Sequence, residues 1–175
     1  MIPLTQSRLR ELFDYDPLTG LFTRRVSLGG SKAGTVAGSL NGWGYVKFNI
    51  DGKPYKGHRL AFLWMNGKFP DGDVDHINRI RSDNRWANLR EATPRQNNGN
   101  SSMSRKNTSG VKGVTWHKKA KKWQAQIGIN GGTKHLGLFA NIDDAAEAYQ
   151  AASIRHFGGF AHAASSTSPS PRGPQ

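Results

Sequence analysis

The chain contains no cysteine, which excludes disulfides, thiol nucleophiles and every cysteine-based zinc site, so any metal has to be held by oxygen and imidazole. Acidic residues are scarce as well: 12 Asp and Glu stand against 25 Lys and Arg in 175 residues, a formal net charge of +13. So large an imbalance, with a pI near 10.4, calls for a polyanionic partner, either nucleic acid or an acidic membrane surface. No apolar run approaches the ~20 residues needed to span a bilayer, and Met1-Ile2-Pro3-Leu4 lacks a signal-peptide pattern, so a soluble, cytoplasmic protein is expected. Apolar residues make up only 35% of the chain, which argues against one large core and for two small modules stabilised by packing alone.

What is present is ordered along the chain. Leu9, Leu12 and Phe13 behind Thr5 predict a short helix over residues 5–13, ended by Asp16-Pro17-Leu18-Thr19-Gly20. Residues 21–26 read as a strand, and a glycine-rich, loop-like stretch follows to Gly44 with a turn at Asn41-Gly42. Tyr45-Val46-Lys47-Phe48-Asn49-Ile50 alternates, Asp51-Gly52 is a hairpin signal, and residues 53–56 supply the returning strand. Residues 58–65 read as a helix ended by Gly67, in which His58 is expected to be structural or to touch a phosphate.

The chemistry concentrates further on. Hydrolysis of a phosphodiester needs a base to take the proton of the attacking water and a cation to neutralise charge on the phosphate and the departing oxygen. Val74-Asp75-His76-Ile77, as a strand end, would turn Asp75 and His76 to different sides, one to a metal and one to a water. Thr93-Pro94-Arg95-Gln96 is a helix start, with Thr93 as N-cap, Pro94 at the first helical position and Gln96 closing a capping box. Asn97 then falls in the first turn, from which its amide oxygen could reach a cation on Asp75. Trp86 and Leu89 would face the core, leaving Asn88 to bond the second ring nitrogen of His76.

Residues 73–100, with Ile77-Asn78, Asp83-Asn84-Arg85, Asn88-Leu89-Arg90 and Ala92-Thr93-Pro94, resemble the HNH (ββα-metal) nucleases, specifically the phage-type branch whose last motif position is Asn. The resemblance implies His76 as general base, Asn88 as the residue that orients it, and Asp75 and Asn97 as metal ligands; Asn98 and Asn100 are further amides near the last position. An amide oxygen in place of an imidazole nitrogen favours Mg²⁺ or Mn²⁺ over Zn²⁺.

Residues 92–142 contain no acidic residue and nine Lys or Arg, so the positive charge is concentrated. Residues 98–109 read as a polar linker. Three alternating strands follow, at 111–116, 122–129 and 135–139, and then a helix at 143–157 with Asp143 as N-cap and a face of small residues that lets it lie close on a sheet. Gly113-Val114, Lys122-Trp123, Gln126-Ile127, Leu136-Gly137-Leu138-Phe139, Ala145-Ala146-Glu147-Ala148-Tyr149 and Phe157-Gly158 resemble the plant ethylene-response-factor type of DNA-binding domain, which also occurs in phage nucleases. In that family a three-stranded sheet enters the major groove with basic and Trp side chains on its open face. By position these are Lys112, Trp116, Lys118, Lys122, Gln124, Gln126 and Lys134, while Thr115 and Gly128 stand where the plant proteins have Arg. The Ser- and Pro-rich residues 161–175 have nothing to pack and are expected to be disordered.

The expectation is therefore an α+β protein. A ββα-metal module over residues 1–100 and a linker at 101–109 precede a sheet-plus-helix module at 110–160. Its activity would be metal-dependent cutting of double-stranded DNA as a phage homing endonuclease acting in the bacterial host cytoplasm, with no membrane and no protein partner implied. The rival expectations are a DNA-binding regulator that no longer cuts and a nonspecific defence nuclease.

Overall fold

A computed structural model describes residues 3–101, 103, 104, 106–129 and 131–161. The expected tail lies, from residue 162 on, outside the described residues. The protein mixes helices with small antiparallel sheets, an α+β arrangement, and divides into two compact units, residues 1–94 and 95–175.

In the first unit, α1 (Gln6–Leu12) starts at Thr5, whose Oγ1 accepts from Arg8 N at 3.1 Å, and buries Leu9 and Leu12. Helix was expected through Phe13, but Phe13 has extended backbone and opens β1 (Phe13–Asp16), which pairs antiparallel with β2 (Leu21–Arg24). Packing decides this. Only an extended chain turns both Phe13 and Tyr15 inward, where Phe13 meets Phe22 and Phe48 edge-on and Tyr15 lies 4.7 Å from Phe22. Strand β2 also stops at Arg24, two residues earlier than expected.

The glycine-rich stretch contributes β3 (Ser39–Leu40), which joins β4 (Val46–Ile50) and β5 (Lys53–Lys56) in a sheet of order β3-β4-β5. The expected hairpin turns at Asp51-Gly52, with Ile50 paired to Lys53. Helix α2 (Gly57–Asn66) buries Leu60, Ala61, Phe62 and Leu63 and is closed by Gly67, whose N–H donates to Leu63 O at 3.0 Å. Strands β6 (Asp73–His76) and β7 (Leu89–Ala92) form an antiparallel hairpin around the long loop 77–88, which ends in a 3₁₀ turn at Trp86–Asn88. Leu89 is buried and Trp86 packs on Phe62, ring centroids 4.8 Å apart, as their spacing predicts.

Gly20 locks that loop. Its φ is +74°, and a Cβ there would sit 2.3 Å from Arg85 N and 2.4 Å from the carbonyl carbon of Asn84. The turn before β2 thus lies directly on the loop backbone, joined by Trp86 N to Pro17 O at 2.9 Å and Tyr15 OH to Asn84 O at 2.7 Å.

The hairpin runs on into α3 (Pro94–Gly99), where Pro94 closes the first unit and Arg95 opens the second. In the second unit β8 (Val114–His117), β9 (Lys122–Ile129) and β10 (Gly132–Phe139) form an antiparallel sheet of order β10-β9-β8. Helix α4 (Ile142–Phe157) crosses one face, and Val114, Ala125, Ile127, Ala145, Tyr149 and Phe157 make the core. Its N-cap is Asn141, with Asp143 and Asp144 in the first turn, where their charge suits the helix dipole; Asp143 had been expected as the cap. Residues 107–109 were expected in a linker but are built into this unit. Asn107 Nδ2 donates to Val111 O and Val114 O at 2.9 and 3.2 Å, and Ser109 Oγ donates to Val114 O at 2.7 Å.

Candidate active site

The register of the β6–β7 hairpin sets the first contact. Asp75 lies directly opposite Arg90, and Arg90 Nε and Nη2 donate to Asp75 Oδ2 at 2.8 and 2.7 Å. Asp75 is only 4% exposed, so the guanidinium supplies the compensation that a buried carboxylate needs.

His76 is the next residue, 5% exposed and opposite Leu89. Its Nε2 lies 3.3 Å from Oδ1 of Asn84, itself buried in the loop. With the amide oxygen facing it, this contact suits the neutral tautomer that carries its proton on Nε2. Burial holds the imidazole below the usual histidine range, opposed in part by the Asn84 bond and by the Asp75 and Asp83 carboxylates.

Asn88, expected to orient His76, does something else. Its Oδ1 accepts from Asn78 N at 2.9 Å and its Nδ2 donates to Asp83 O at 2.8 Å, while its backbone O accepts from Ile77 N at 2.9 Å. Asn88 therefore pins the two ends of the loop together, and Asn84 is the amide that faces His76. Sequence spacing pointed to Asn88 and passed over Asn84, because both lie in the loop and only its closure decides which side chain turns toward β6. Asp83 steadies the same loop through Asn78 and Arg85, and chiefly the Arg85 guanidinium holds its carboxyl down at about 2.

His58, from the first turn of α2, stands edge to face with His76, ring centroids 5.1 Å apart. It is 4% exposed, and among the described residues its Nδ1 has no hydrogen-bond partner. Burial, with the neighbouring His76, Lys56 and Arg59, pushes its pKa down to about 3. The ring of Tyr45 lies against both histidines, at 5.3 Å from His58 and 6.0 Å from His76.

Asn97 is the fourth residue of α3 and half-buried, and Asn100, just beyond that helix, is buried. The donors that the motif brings forward are a carboxylate and amide oxygens, which suit a hard ion such as Mg²⁺ or Mn²⁺. Among the described residues no group of three or more His, Cys, Asp or Glu could hold a metal. Any ion bound to Asp75 must share that carboxylate with Arg90.

The second unit distributes the expected DNA-contacting residues unevenly. Ala125 and Ile127 of β9 face α4, so Lys122, Gln124 and Gln126 alternate onto the open face. His135, paired with Gln126 and 3.2 Å from Gln124 Nε2 through its Nδ1, joins them and had not been expected there. Trp116 pairs with Trp123, which packs on the core, and their rings meet at 5.0 Å; Trp116 therefore lies on the covered face, 40% exposed at its end. Lys118 lies in the β8–β9 turn, and Lys134 pairs with Ile127, on that residue's face but exposed. Lys112 Nζ donates to the backbone oxygens of Gly99 and Ser101, tying the end of α3 rather than extending from the sheet.

The comparisons with known proteins fall on the stretch that carries Asp75 and His76. Residues 55–99 match the family model described as HNH endonuclease, a span that takes in α2, the β6–β7 hairpin and α3 with Asn97. The chain is 36% identical over 75 residues to protein 3.8 of Escherichia phage T7, covering 42% of this chain and 62% of that protein. It is 35% identical over 106 residues to an uncharacterized HNH endonuclease of Acanthamoeba polyphaga mimivirus, covering 59% of this chain and 54% of that protein. The chain thus spans less than two thirds of the length of either relative. No solved structure matches it significantly.

Proposed function

We propose that the chain is a metal-dependent DNA endonuclease of the homing type, with His76 as general base, and that its second unit is an ethylene-response-factor-like module supplying affinity and position on double-stranded DNA. The observation that carries this reading is the buried Asp75-His76 pair, each member fixed by a different partner, Arg90 and Asn84. Neutral His76 takes a proton from a water whose oxygen attacks phosphorus. The bond from phosphorus to the 3′ oxygen breaks and that oxygen leaves with a proton from solvent. Asn84 keeps the imidazole in the tautomer that can accept. Asp75, and from the motif Asn97, would hold Mg²⁺ or Mn²⁺, which when bound neutralises charge on the scissile phosphate and the departing oxygen.

Incubating purified protein with supercoiled plasmid and Mg²⁺, with and without chelator, tests the proposal. Nicked or linear product that chelator abolishes is expected. An unchanged plasmid would leave a DNA-binding regulator, and a smear would leave a nonspecific nuclease.

A further inference from the structure

The turn between β3 and β4, residues 41–44, is closed by one side chain. Asn41 Oδ1 accepts from Trp43 N and from Tyr45 N, each at 3.0 Å, while its backbone N–H donates to Tyr45 O and its O accepts from Gly44 N, both at 2.9 Å. At the tip of this closed turn stands Trp43, 75% exposed. A large aromatic ring held out in water from an ordered turn contributes little to the fold and leaves its flat face open to stacking.

The tip is tied to the catalytic loop. Arg81 Nη1 donates to Trp43 O at 3.0 Å, and the same guanidinium lies 5.0 Å above the ring of Tyr45, which Lys56 Nζ approaches at 5.2 Å. Tyr45 in turn touches His76. An exposed indole, a cation, a half-buried phenol and the proposed base thus follow one another without a break inside the first unit. Lys56 also lies directly opposite Lys47 in the β4–β5 register, a like-charge pair that costs stability unless an anion answers it. Among the described residues, Lys47, Lys56 and Arg81 form no ion pair.

We propose that the 41–44 turn is a substrate-binding tip: Trp43 stacks on a nucleobase drawn out of the duplex stack on the strand being cut, and Lys47, Lys56 and Arg81 hold the phosphates that lead from that base to His76. Aromatic stacking accepts any base and cationic neighbours accept any backbone, so the tip positions the strand without reading its sequence. The inference rests on the DNA-cutting reading and adds a contact outside the second unit's sheet.

The test uses the full chain with chelator present, so that binding is read apart from cutting, and a labelled duplex oligonucleotide as probe. Trp43→Ala should weaken binding about tenfold or more, and Trp43→Phe should keep most of the affinity while removing the DNA-induced quenching of indole fluorescence that Trp43 contributes. Arg81→Ala, which releases the tip, should fall with Trp43→Ala. Because the ring is exposed, the thermal midpoint of Trp43→Ala should match that of the unsubstituted protein. Unchanged affinity in Trp43→Ala, or unchanged quenching in Trp43→Phe, overturns the proposal. DNA binding that quenches Trp43 without any Mg²⁺-dependent cutting would sink the nuclease reading and leave the contact standing.

Discussion

His58 and His76 meet edge to face, ring centroids 5.1 Å apart and planes at 89°. Two buried imidazoles in contact raise the question of which one is the base. Asn84 answers it for His76, whose Nε2 it faces, whereas His58 has an unsatisfied Nδ1 and a pKa pushed down to about 3, too weak a base to help near neutrality.

His76→Ala should therefore lower the cleavage rate by ~10²–10⁴ while leaving DNA affinity nearly unchanged, since a base acts on water and contributes little to phosphate binding. Cleavage and gel-shift assays side by side read this. A rate within tenfold of the unsubstituted enzyme would assign the base elsewhere.

The two loop amides should separate. Asn84→Ala removes the group facing His76 and should lower kcat with little change in DNA affinity. Asn88→Ala leaves Asn78 N and Asp83 O without their partners and should cost stability of about 1–3 kcal/mol in urea unfolding. If Asn88→Ala is as stable as the parent and only kcat falls, the orienting role returns to Asn88.

Metal dependence should follow the motif. Asp75→Ala and Asn97→Ala should each raise the Mg²⁺ concentration needed for half-maximal rate. If Asn97→Ala titrates like the parent while Asn98→Ala or Asn100→Ala does not, the second ligand has been misassigned although the nuclease reading survives.

Acid should destabilise the first unit through His58. Its pKa is about 3 in the folded protein against 6.5 for an ordinary histidine, so between those values the unfolded chain takes up a proton that the native one refuses. Stability then falls as pH falls through that window, by roughly 1.4 kcal/mol per pH unit from this group alone. His76, also held low, acts in the same direction. Urea unfolding from pH 7 to pH 5 should show the loss, and His58→Leu should flatten it; an equal slope in that variant would mean the buried ring is not the cause.

On the open face of the second sheet, Lys122→Gln should reduce the slope of log affinity against log salt by about 0.9 if that lysine meets one phosphate. Lys112→Gln should lower thermal stability more than it alters the slope, because its Nζ is already bound to backbone oxygens. Binding measured at several salt concentrations distinguishes them, and an unchanged slope for Lys122→Gln removes that residue from the interface.

Short-range physics made much of this protein legible in its sequence. Thr5 caps α1, Asp51-Gly52 turns the hairpin, Gly67 closes α2 and Pro94 opens α3, each by a bond or a backbone preference settled within a few residues. The adjacency of Asp75 and His76 and the acid-free basic stretch are likewise properties of the chain itself. Tertiary structure decided what depends on closure over distance. Phe13 left its helix because the aromatic core needed it extended, and Trp116 faces Trp123 because strand register, not composition, sets which side a residue takes. Asn84 rather than Asn88 faces His76, Arg90 holds Asp75, and Trp43 stands beside the catalytic loop, because each partner comes from a separate segment brought together only when the loop closes against Gly20 and the hairpin pairs. Local pattern offers the candidates for such contacts; the choice among them is a matter of packing, and packing is not written in spacing.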